Sequence, residues 1–284
     1  MKGLRFDKYV AAGNDFLIFD GRKNLGVDYN DLALKICDRH FGVGGDGIMV
    51  CENSAIADIK MLYYNSDGSQ GEMCGNGIRS FTKYIFDYGI VKKKSISIET
   101  LAGIQYIDLE TDQFNKASEI KVNMGRPIFE GVKIPVTIHK EKILEETINI
   151  DNRDYKFSAV LVGVPHVVIF VDDIKEININ DLGKKIENHK LFPNKTNVNF
   201  VEIIDRNTIN IYTWERGAGR TLGCGTGSCA SVVIGNLLDR LDSKVLVNTE
   251  GGKLEVELGD NYEIIMTGSA THVARGEYLV QMTE

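Results

Sequence analysis

The chain has 284 residues, of which 43% are hydrophobic, and its 40 acidic and 33 basic side chains give a formal net charge of −7. This negative balance, with no basic cluster larger than the KKK run that starts at Lys92, argues against nucleic acid or an anionic membrane as a partner. At roughly 150 residues per domain, the length predicts two domains.

The predicted elements begin with a strand on either side of a turn at Gly13 and continue with a helix from Asp31 that directs Leu32 and Ile36 toward a core. The alternation of many modest strands with few helices predicts a mixed α/β class in which strands dominate. The later predicted elements are a strand from Ile59 to Tyr64, a helix from about Ile78 to Tyr88, a helical stretch near Leu182 to His189, strands from Val198 to Ile204 and from Ile209 to Trp214, and a helix from about Ser228 to Leu241.

One glycine motif has the wrong context for nucleotide binding. Gly42, Gly44 and Gly47 match the spacing G-x-G-x-x-G. The dinucleotide-binding motif needs a strand before it and a helix after it, whereas here a predicted helix precedes and a predicted strand follows. We therefore do not expect a bound nucleotide.

Five cysteines form an odd set with no CxxC pair, which argues against a disulfide framework and against a tetrahedral zinc site. The N-terminus has no apolar signal segment, and the richest apolar stretch, from Val160 to Val171, is interrupted by a glycine, a proline and a histidine. We therefore expect a soluble cytoplasmic protein without a metal. Cys37, Cys51 and Cys229 are interpreted as small apolar core residues.

The remaining two cysteines lie in matching positions of an internal repeat. The interval from the start of a predicted strand at Ile59 to Cys74 equals the interval from Ile209 to Cys224, with no gap between the two halves. Each cysteine precedes a glycine, a small polar residue and another glycine, in MCGNG and GCGTG. Such a duplication predicts two similar domains with a cleft between them, where small molecules commonly bind.

Each repeated cysteine is predicted to lie at the start of a helix. Unpaired N–H groups and partial positive charge at a helix start favour a thiolate, so we expect the thiol pKa to fall from about 8.5 toward neutrality. The flanking glycines would let the backbone approach the carboxylate of an amino acid. Facing thiols could then act as base and acid on opposite faces of the α-carbon and invert it. No lysine lies in a site-like loop that would suggest pyridoxal phosphate, so no cofactor is expected.

Over nearly its whole length the chain resembles the diaminopimelate epimerases, which interconvert LL- and meso-diaminopimelate without a cofactor on the route to lysine and peptidoglycan. The motifs that carry the resemblance are GND at Gly13, NSDGS at Asn65, MCGNG at Cys74, PH at Pro165, TNVNF at Thr196, WERGAG at Trp214 and GCGTG at Cys224.

The resemblance implies two pseudo-symmetric α/β domains, each with strands wrapped around a central helix, in a homodimeric enzyme that binds a small amino acid. The N-terminal lobe would comprise residues 1–124 and 269–284 with Cys74, and the C-terminal lobe residues 125–268 with Cys224. The implied catalytic residues are Cys74, Cys224, His166 and Glu215. The implied substrate-binding residues are Asn14, Asn65, Gly75, Asn76, Asn197, Glu215, Arg216, Gly225 and Thr226.

Elementary chemistry supports these implied roles unequally. Arg216 offers a planar fork for the second carboxylate of diaminopimelate. Neighbours on a regular strand point to opposite faces, so Glu215 can reach the same ligand only if a turn begins there. Without the resemblance, Asn14 and Asn76, which stand beside glycines, would be interpreted as turn residues. His166, taken by itself, fits an ordinary half-buried histidine.

One departure from the family keeps other functions open. The family generally has Asn-Pro-His where this chain has Val164-Pro165-His166, so a racemase acting on another amino acid remains an alternative. A proline racemase-like enzyme is a second alternative, which racemisation assays on proline and on diaminopimelate would separate. A third is a non-catalytic member that binds a metabolite through the same cleft, or a paralogue of phenazine-biosynthesis type that lacks the thiol pair. The presence of both cysteines disfavours it.

Overall fold

The computed structural model describes residues 2–23 and 25–280, and these residues fall into two compact units. Unit 1 takes the described chain up to Val122 and from Gly268 onward, and unit 2 takes Asn123–Thr267. None of the helices within this described part combines the length and the apolar character needed to cross a membrane.

Most of unit 1 comes from the first part of the chain, and its last strand comes from the end. Its helices are α1 (Tyr29–Ile36) and α2 (Gly75–Asp87). Its strands from the first part of the chain are β1 (Lys2–Ala11), β2 (Asn14–Asp20), β3 (Gly47–Glu52), β4 (Ile59–Asn65), β5 (Gln70–Gly71), β6 (Ser95–Thr100), β7 (Gly103–Thr111) and β8 (Ala117–Asn123).

Unit 2 is continuous in sequence. Its helices are α3 (Ile179–Glu187) and α4 (Gly225–Leu237). Its strands are β9 (Ile143–Ile150), β10 (Arg153–Val162), β11 (Val164–Val171), β12 (Asn197–Asp205), β13 (Thr208–Glu215), β14 (Gly219–Thr221), β15 (Lys244–Thr249), β16 (Gly252–Leu258) and β17 (Ile264–Gly268). The next strand along the chain, β18 (Thr271–Val280), belongs to unit 1.

The two units share one order of strands. Unit 1 runs β18-β1-β2-β3-β4-β6-β7-β8, with β2–β3 and β4–β6 parallel and the other neighbours antiparallel. Unit 2 runs β9-β10-β11-β12-β13-β15-β16-β17, with β11–β12 and β13–β15 parallel and the rest antiparallel. The sheet of unit 2 therefore repeats that of unit 1 pair by pair.

The repeat also keeps a constant offset in residue number. The offset between the first residues of α2 and α4, Gly75 and Gly225, is the same as the offset between their last residues, Asp87 and Leu237. The first residues of α1 and α3, of β2 and β11, and of β3 and β12 are separated by that offset too. A residue of unit 1 and a residue of unit 2 that are separated by this offset, such as Gly75 and Gly225, are called equivalent.

In each unit, one helix is enclosed by the strands. Every residue of α4 from Ser228 to Gly235 is buried, and α2 buries nine of its thirteen residues, including Phe81 and Ile85. A helix buried nearly all round belongs in the interior of a fold. The predicted class, mixed α/β with strands around a central helix, is confirmed.

The other two helices are amphipathic and pack on the outside of the strands. In α1, Leu32 and Ile36 belong to a buried hydrophobic cluster with residues of β1–β4. In the same way, Leu182 and Ile186 of α3 belong to a buried hydrophobic cluster in unit 2. The predicted inward positions of Leu32, Ile36 and Cys37 are confirmed, as is the burial of Cys51 and Cys229. Helix α1 ends at Ile36, whose carbonyl accepts hydrogen bonds from the amides of residues 43 and 44 in the glycine loop.

Candidate functional site

Cys74 and Cys224 are the N-cap residues of α2 and α4. Both have extended backbone, and each Sγ accepts a hydrogen bond at 3.4 Å from the amide of Gly77 or Gly227, three residues later. The sulfur thereby occupies the place of a capping oxygen, next to the positive end of the helix dipole. Both helices begin three residues before their predicted starts, because the cysteine itself is the cap.

Close packing requires glycine at positions 77 and 227, whose amides donate to the two capping sulfurs. A Cβ on Gly227 would lie 2.3 Å from Oδ1 of Asn199, and a Cβ on Gly77 would lie 2.0 Å from Cε of Met49. Contacts below about 3 Å do not occur at real Cβ atoms. Glycine at these positions therefore lets each cysteine-capped turn lie against the strand beneath it.

The environment of Cys224 holds its thiol in the protonated form. Burial raises its pKa well above the usual value, and the nearby carboxylate of Glu215 raises it further. The hydroxyl of Thr226, 3.3 Å from the sulfur, and the amide of Gly227 act in the opposite direction. The predicted shift toward neutrality is wrong for Cys224, because the loss of hydration outweighs two hydrogen bonds.

His166 is fully buried on β11. Nδ2 of Asn199 donates to the carbonyl of Val167 at 3.0 Å and lies 3.2 Å from Nδ1 of His166. Because a carbonyl can only accept, the amide orientation of Asn199 is fixed, so Nδ1 accepts and the ring proton is on Nε2. Burial, with a smaller effect of Arg216, lowers the pKa of His166 to about 3.

His166 is expected to make the protein less stable in acid. Its folded pKa lies below the unfolded value of about 6.5, so the unfolded chain binds one more proton between these two values. The free energy of unfolding should therefore fall as the pH drops from about 6.5 toward 3, and between pH 7 and pH 5 the loss should be ~2 kcal/mol.

Urea unfolding of the wild type and of His166→Gln at pH 7 and pH 5 measures this effect. Glutamine cannot be protonated, so the variant should lose most of the difference between the two pH values. His40→Gln, at an exposed histidine, is the control and should keep the wild-type difference. If the wild type and His166→Gln lost the same unfolding free energy between pH 7 and pH 5, the effect could not be assigned to protonation of His166.

A turn begins at Glu215, as its proposed role requires. The amide of Ala218 bonds to the carbonyl of Glu215 at 3.1 Å, directly after β13 ends. Asn197 supports this turn, because its Oδ1 accepts from the amide of Arg216 at 2.9 Å while its Nδ2 donates to the carbonyl of Pro165 at 2.8 Å. The exposed guanidinium of Arg216 donates to a backbone carbonyl at residue 194. Glu215 lies within hydrogen-bonding reach of Cys224, so unit 2 brings these two predicted residues together.

A carboxylate that the sequence did not indicate as functional supports the same turn. Glu187, at the end of α3, is 5% exposed and accepts hydrogen bonds from Nε1 of Trp214 at 2.7 Å and from the amide of Gly217 at 3.2 Å. Lys195 pairs with it at 3.5 Å. In sequence Glu187 resembles any charged residue of a surface helix, and no local pattern distinguishes it.

In unit 1, the predicted residues Asn14 and Asn76 are joined directly. Nδ2 of Asn76 donates to Oδ1 of Asn14 at 2.7 Å. Two further residues that the sequence analysis did not predict complete this arrangement: Asp46 accepts from Asn14 at 2.9 Å, and Arg79 donates to Asn76 at 2.9 Å. Asp46 lies in the glycine loop whose spacing matches the G-x-G-x-x-G motif.

Asn65, the last residue of β4, is equivalent to Glu215. Its side chain donates to Oγ of Ser69 and accepts from the hydroxyl of Tyr63, which holds it in the turn after the strand. The Gly75 carbonyl accepts from Arg79 at 3.1 Å. Among the described residues, no group of three or more His, Cys, Asp or Glu side chains could hold a metal ion.

The family model and the relatives that match this sequence belong to one family. The family model described as diaminopimelate epimerase matches residues 6–130 and 158–273. A diaminopimelate epimerase of Caldanaerobacter subterraneus subsp. tengcongensis is 47% identical over 274 residues, which is 96% of this chain and 99% of the relative. One from Alkaliphilus metalliredigens is 43% identical over 277 residues, covering 97% of this chain and 98% of the relative.

Solved structures show that the fold is shared more widely. A PhzF-family phenazine biosynthesis protein of Bacillus anthracis has a TM-score of 0.74 at 18% identity, covering 99% of this chain and 100% of that one. A probable proline racemase of Agrobacterium radiobacter has a TM-score of 0.71 at 15% identity, covering 98% of this chain and 93% of the other. At these identities the likeness concerns the fold alone.

Proposed function

The chain belongs to the diaminopimelate epimerase family, and we propose on that premise that it interconverts LL- and meso-diaminopimelate without a cofactor, on the route to lysine and peptidoglycan. The observation that carries the proposal is the pair of equivalent cysteine caps, Cys74 and Cys224. The sulfur of each accepts a hydrogen bond from a backbone amide in the first turn of a central helix. Two core cysteines would need no such matched arrangement.

In the proposed reaction, one sulfur as thiolate removes the α-hydrogen, and the other, as thiol, delivers a proton to the opposite face. The α C–H bond breaks and a new C–H bond forms on the other side, so the centre is inverted without any change in oxidation state. The raised pKa of Cys224 supports this residue as the resting thiol, which leaves Cys74 as the first base. Microscopic reversibility exchanges these roles in the reverse direction.

Proton transfer alone does not account for the rate. The α-hydrogen of an amino acid is much less acidic than a thiol, and general acid–base catalysis contributes about 10²- to 10⁴-fold. The remaining stabilisation would come from N–H groups at the helix starts, directed at the carboxylate on which carbanion charge develops. Gly75 and Asn76 in α2, and Gly225 and Thr226 in α4, provide these first turns.

The remaining proposed residues assist proton transfer or recognise the two ends of the substrate. Neutral His166 and the carboxylate of Glu215 would assist proton transfer at the thiols. The exposed guanidinium of Arg216 suits the distal carboxylate. Asn14, Asn65 and Asn197 would donate to or accept from the amino acid groups.

We also propose that the enzyme is a cytoplasmic homodimer. Within the described part of the chain none of the five cysteines forms a disulfide, which is consistent with a reducing compartment. The homodimer follows from the family resemblance, and light scattering on the purified protein tests it: a mass near 63 kDa is expected, about twice the 31.6 kDa chain.

The function is tested by incubating the purified protein with LL-diaminopimelate in heavy water without added cofactor. We expect meso product that carries solvent deuterium at the inverted α-carbon. Parallel incubations with L-proline and with L-glutamate, an amino acid with one reacting end, test the alternatives that Val164 leaves open. Deuterium in either of those products, with none in diaminopimelate, would replace the proposed substrate.

A further inference from the structure

We propose that Asp46 and Arg79 are positioning residues that fix the side-chain orientations of Asn14 and Asn76. The proposal rests on the proposed function for its kinetic consequence. The four side chains form one chain of hydrogen bonds: Arg79 Nη2 to Asn76 Oδ1 at 2.9 Å, Asn76 Nδ2 to Asn14 Oδ1 at 2.7 Å, and Asn14 Nδ2 to Asp46 Oδ2 at 2.9 Å.

We call the four hydrogen-bonded side chains of Arg79, Asn76, Asn14 and Asp46 the relay. Its two end residues determine the direction in which every hydrogen bond along it is donated. A guanidinium can only donate and a carboxylate can only accept, whereas each asparagine amide has one accepting and one donating end. With Arg79 at one end, Asn76 must present its oxygen to it and its nitrogen to Asn14. Asn14 must then present its nitrogen to Asp46. Exchanging the oxygen and nitrogen positions of either amide would oppose two donors or two acceptors.

Burial and anchoring make this constraint effective. Arg79 is fully buried and Asn76 is 3% exposed, so water is in a poor position to replace a lost bond. Arg79 also donates to the carbonyl of Gly75, the residue after Cys74. Asp46 in turn accepts from the backbone amide of Asp15 at 3.1 Å, which joins it to the start of β2.

Unit 2 has no counterpart of the relay at the equivalent positions. The residues equivalent to Asp46, Asn14, Asn76 and Arg79 are Thr196, Val164, Thr226 and Cys229. Valine cannot hydrogen-bond through its side chain, and no obligate donor or carboxylate stands at either end. The duplicated scaffold therefore supports an oriented pair of amides in unit 1 alone, next to the Cys74 turn.

The substitution Asp46→Asn keeps the shape of the side chain and removes the obligate acceptor. We expect kcat/KM for LL-diaminopimelate to fall about tenfold, chiefly through KM. In an Asn14→Ala background, the same substitution should change kcat/KM less than twofold, because Asp46 acts through Asn14. Effects that multiply in the double variant would overturn the proposal.

Asp46 also accepts from Arg39, at 2.8 Å. The matched control is therefore Asp20→Asn, at the other end of β2, where a carboxylate likewise accepts from an arginine, Arg22. This variant should keep the wild-type kcat/KM. Arg79→Lys keeps an obligate donor and should retain more activity than Arg79→Gln, whose amide can face either way. Equal losses in the two Arg79 variants would contradict the directional role.

A second measurement does not depend on catalysis. The side-chain amide resonances of Asn14 and Asn76 can be assigned by substitution in ¹⁵N-labelled protein. Asp46→Asn should shift the resonance of Asn76, two links away, whereas Asp20→Asn should not. An unchanged Asn76 resonance would refute the relay even in an active enzyme, whereas a shift in a protein inactive on diaminopimelate would refute only the proposed function.

Discussion

Cys74→Ala and Cys224→Ala are each expected to abolish epimerisation of LL-diaminopimelate. Each substitution removes one of the two proton carriers, and alanine can neither accept nor deliver a proton. Loss of the sulfur cap should cost about 1 kcal/mol of stability, which leaves the protein folded. Cys→Ser should restore the cap and leave at most a trace of exchange, because a hydroxyl is a far weaker base. Deuterium incorporation and thermal unfolding measure the two effects.

Cys229→Ala is the matched control, since Cys229 is a fully buried cysteine of the same helix α4. It should retain most of the wild-type rate, at a small cost in stability from the lost sulfur. A Cys74→Ala or Cys224→Ala enzyme that kept more than about a hundredth of the wild-type rate would contradict the two-thiol mechanism, given the usual size of acid–base catalysis.

Gly227→Ala is expected to destabilise the protein by about 2–4 kcal/mol, because overpacking adds to the cost of broken buried hydrogen bonds. The new methyl group would lie 2.3 Å from Oδ1 of Asn199, an oxygen that accepts from Thr213. The amide nitrogen of Asn199 is also committed, to Val167 and His166. The side chain therefore cannot move aside without breaking these bonds.

Gly77→Ala is the matched comparison, because Gly77 is equivalent to Gly227. There the methyl group meets the terminal Cε of Met49, at the end of a flexible side chain that can rotate away. We expect less than half the destabilisation of Gly227→Ala. Thermal unfolding of both variants measures the difference, and a larger loss for Gly77→Ala would show that Met49 is more constrained than Asn199.

The duplication and the fold class could be predicted because they depend on spacing. The equal intervals from Ile59 to Cys74 and from Ile209 to Cys224 are visible in the sequence, and they correspond to β4 and β13 leading through short hairpins to α2 and α4. The burial of Cys37 and Cys51, predicted from their interpretation as small apolar core residues, is confirmed. Burial raises the pKa of both thiols to about 12.

The features that the sequence did not predict depend on contacts between distant segments. Glu187 reaches Trp214 across 27 residues, and Asp46 reaches Asn14 across 32. The pKa of Cys224 depends on burial and on Glu215, so a local motif could indicate only the helix start and not the larger opposing effect. The sequence predicts the starts of α2 and α4 three residues too late because glycines are poor helix formers in isolation.

The last strand of unit 1 has a consequence for synthesis on the ribosome. β1 pairs with β18 along its length, from Lys2 opposite Val280 to Val10 opposite Thr271. Until β18 leaves the exit tunnel, β1 lacks its antiparallel partner on that side and exposes unpaired backbone groups that invite misassociation. All strands of unit 2 precede β18 in the chain, so unit 1, although it begins first, is the unit whose sheet waits for the strand that is synthesised last.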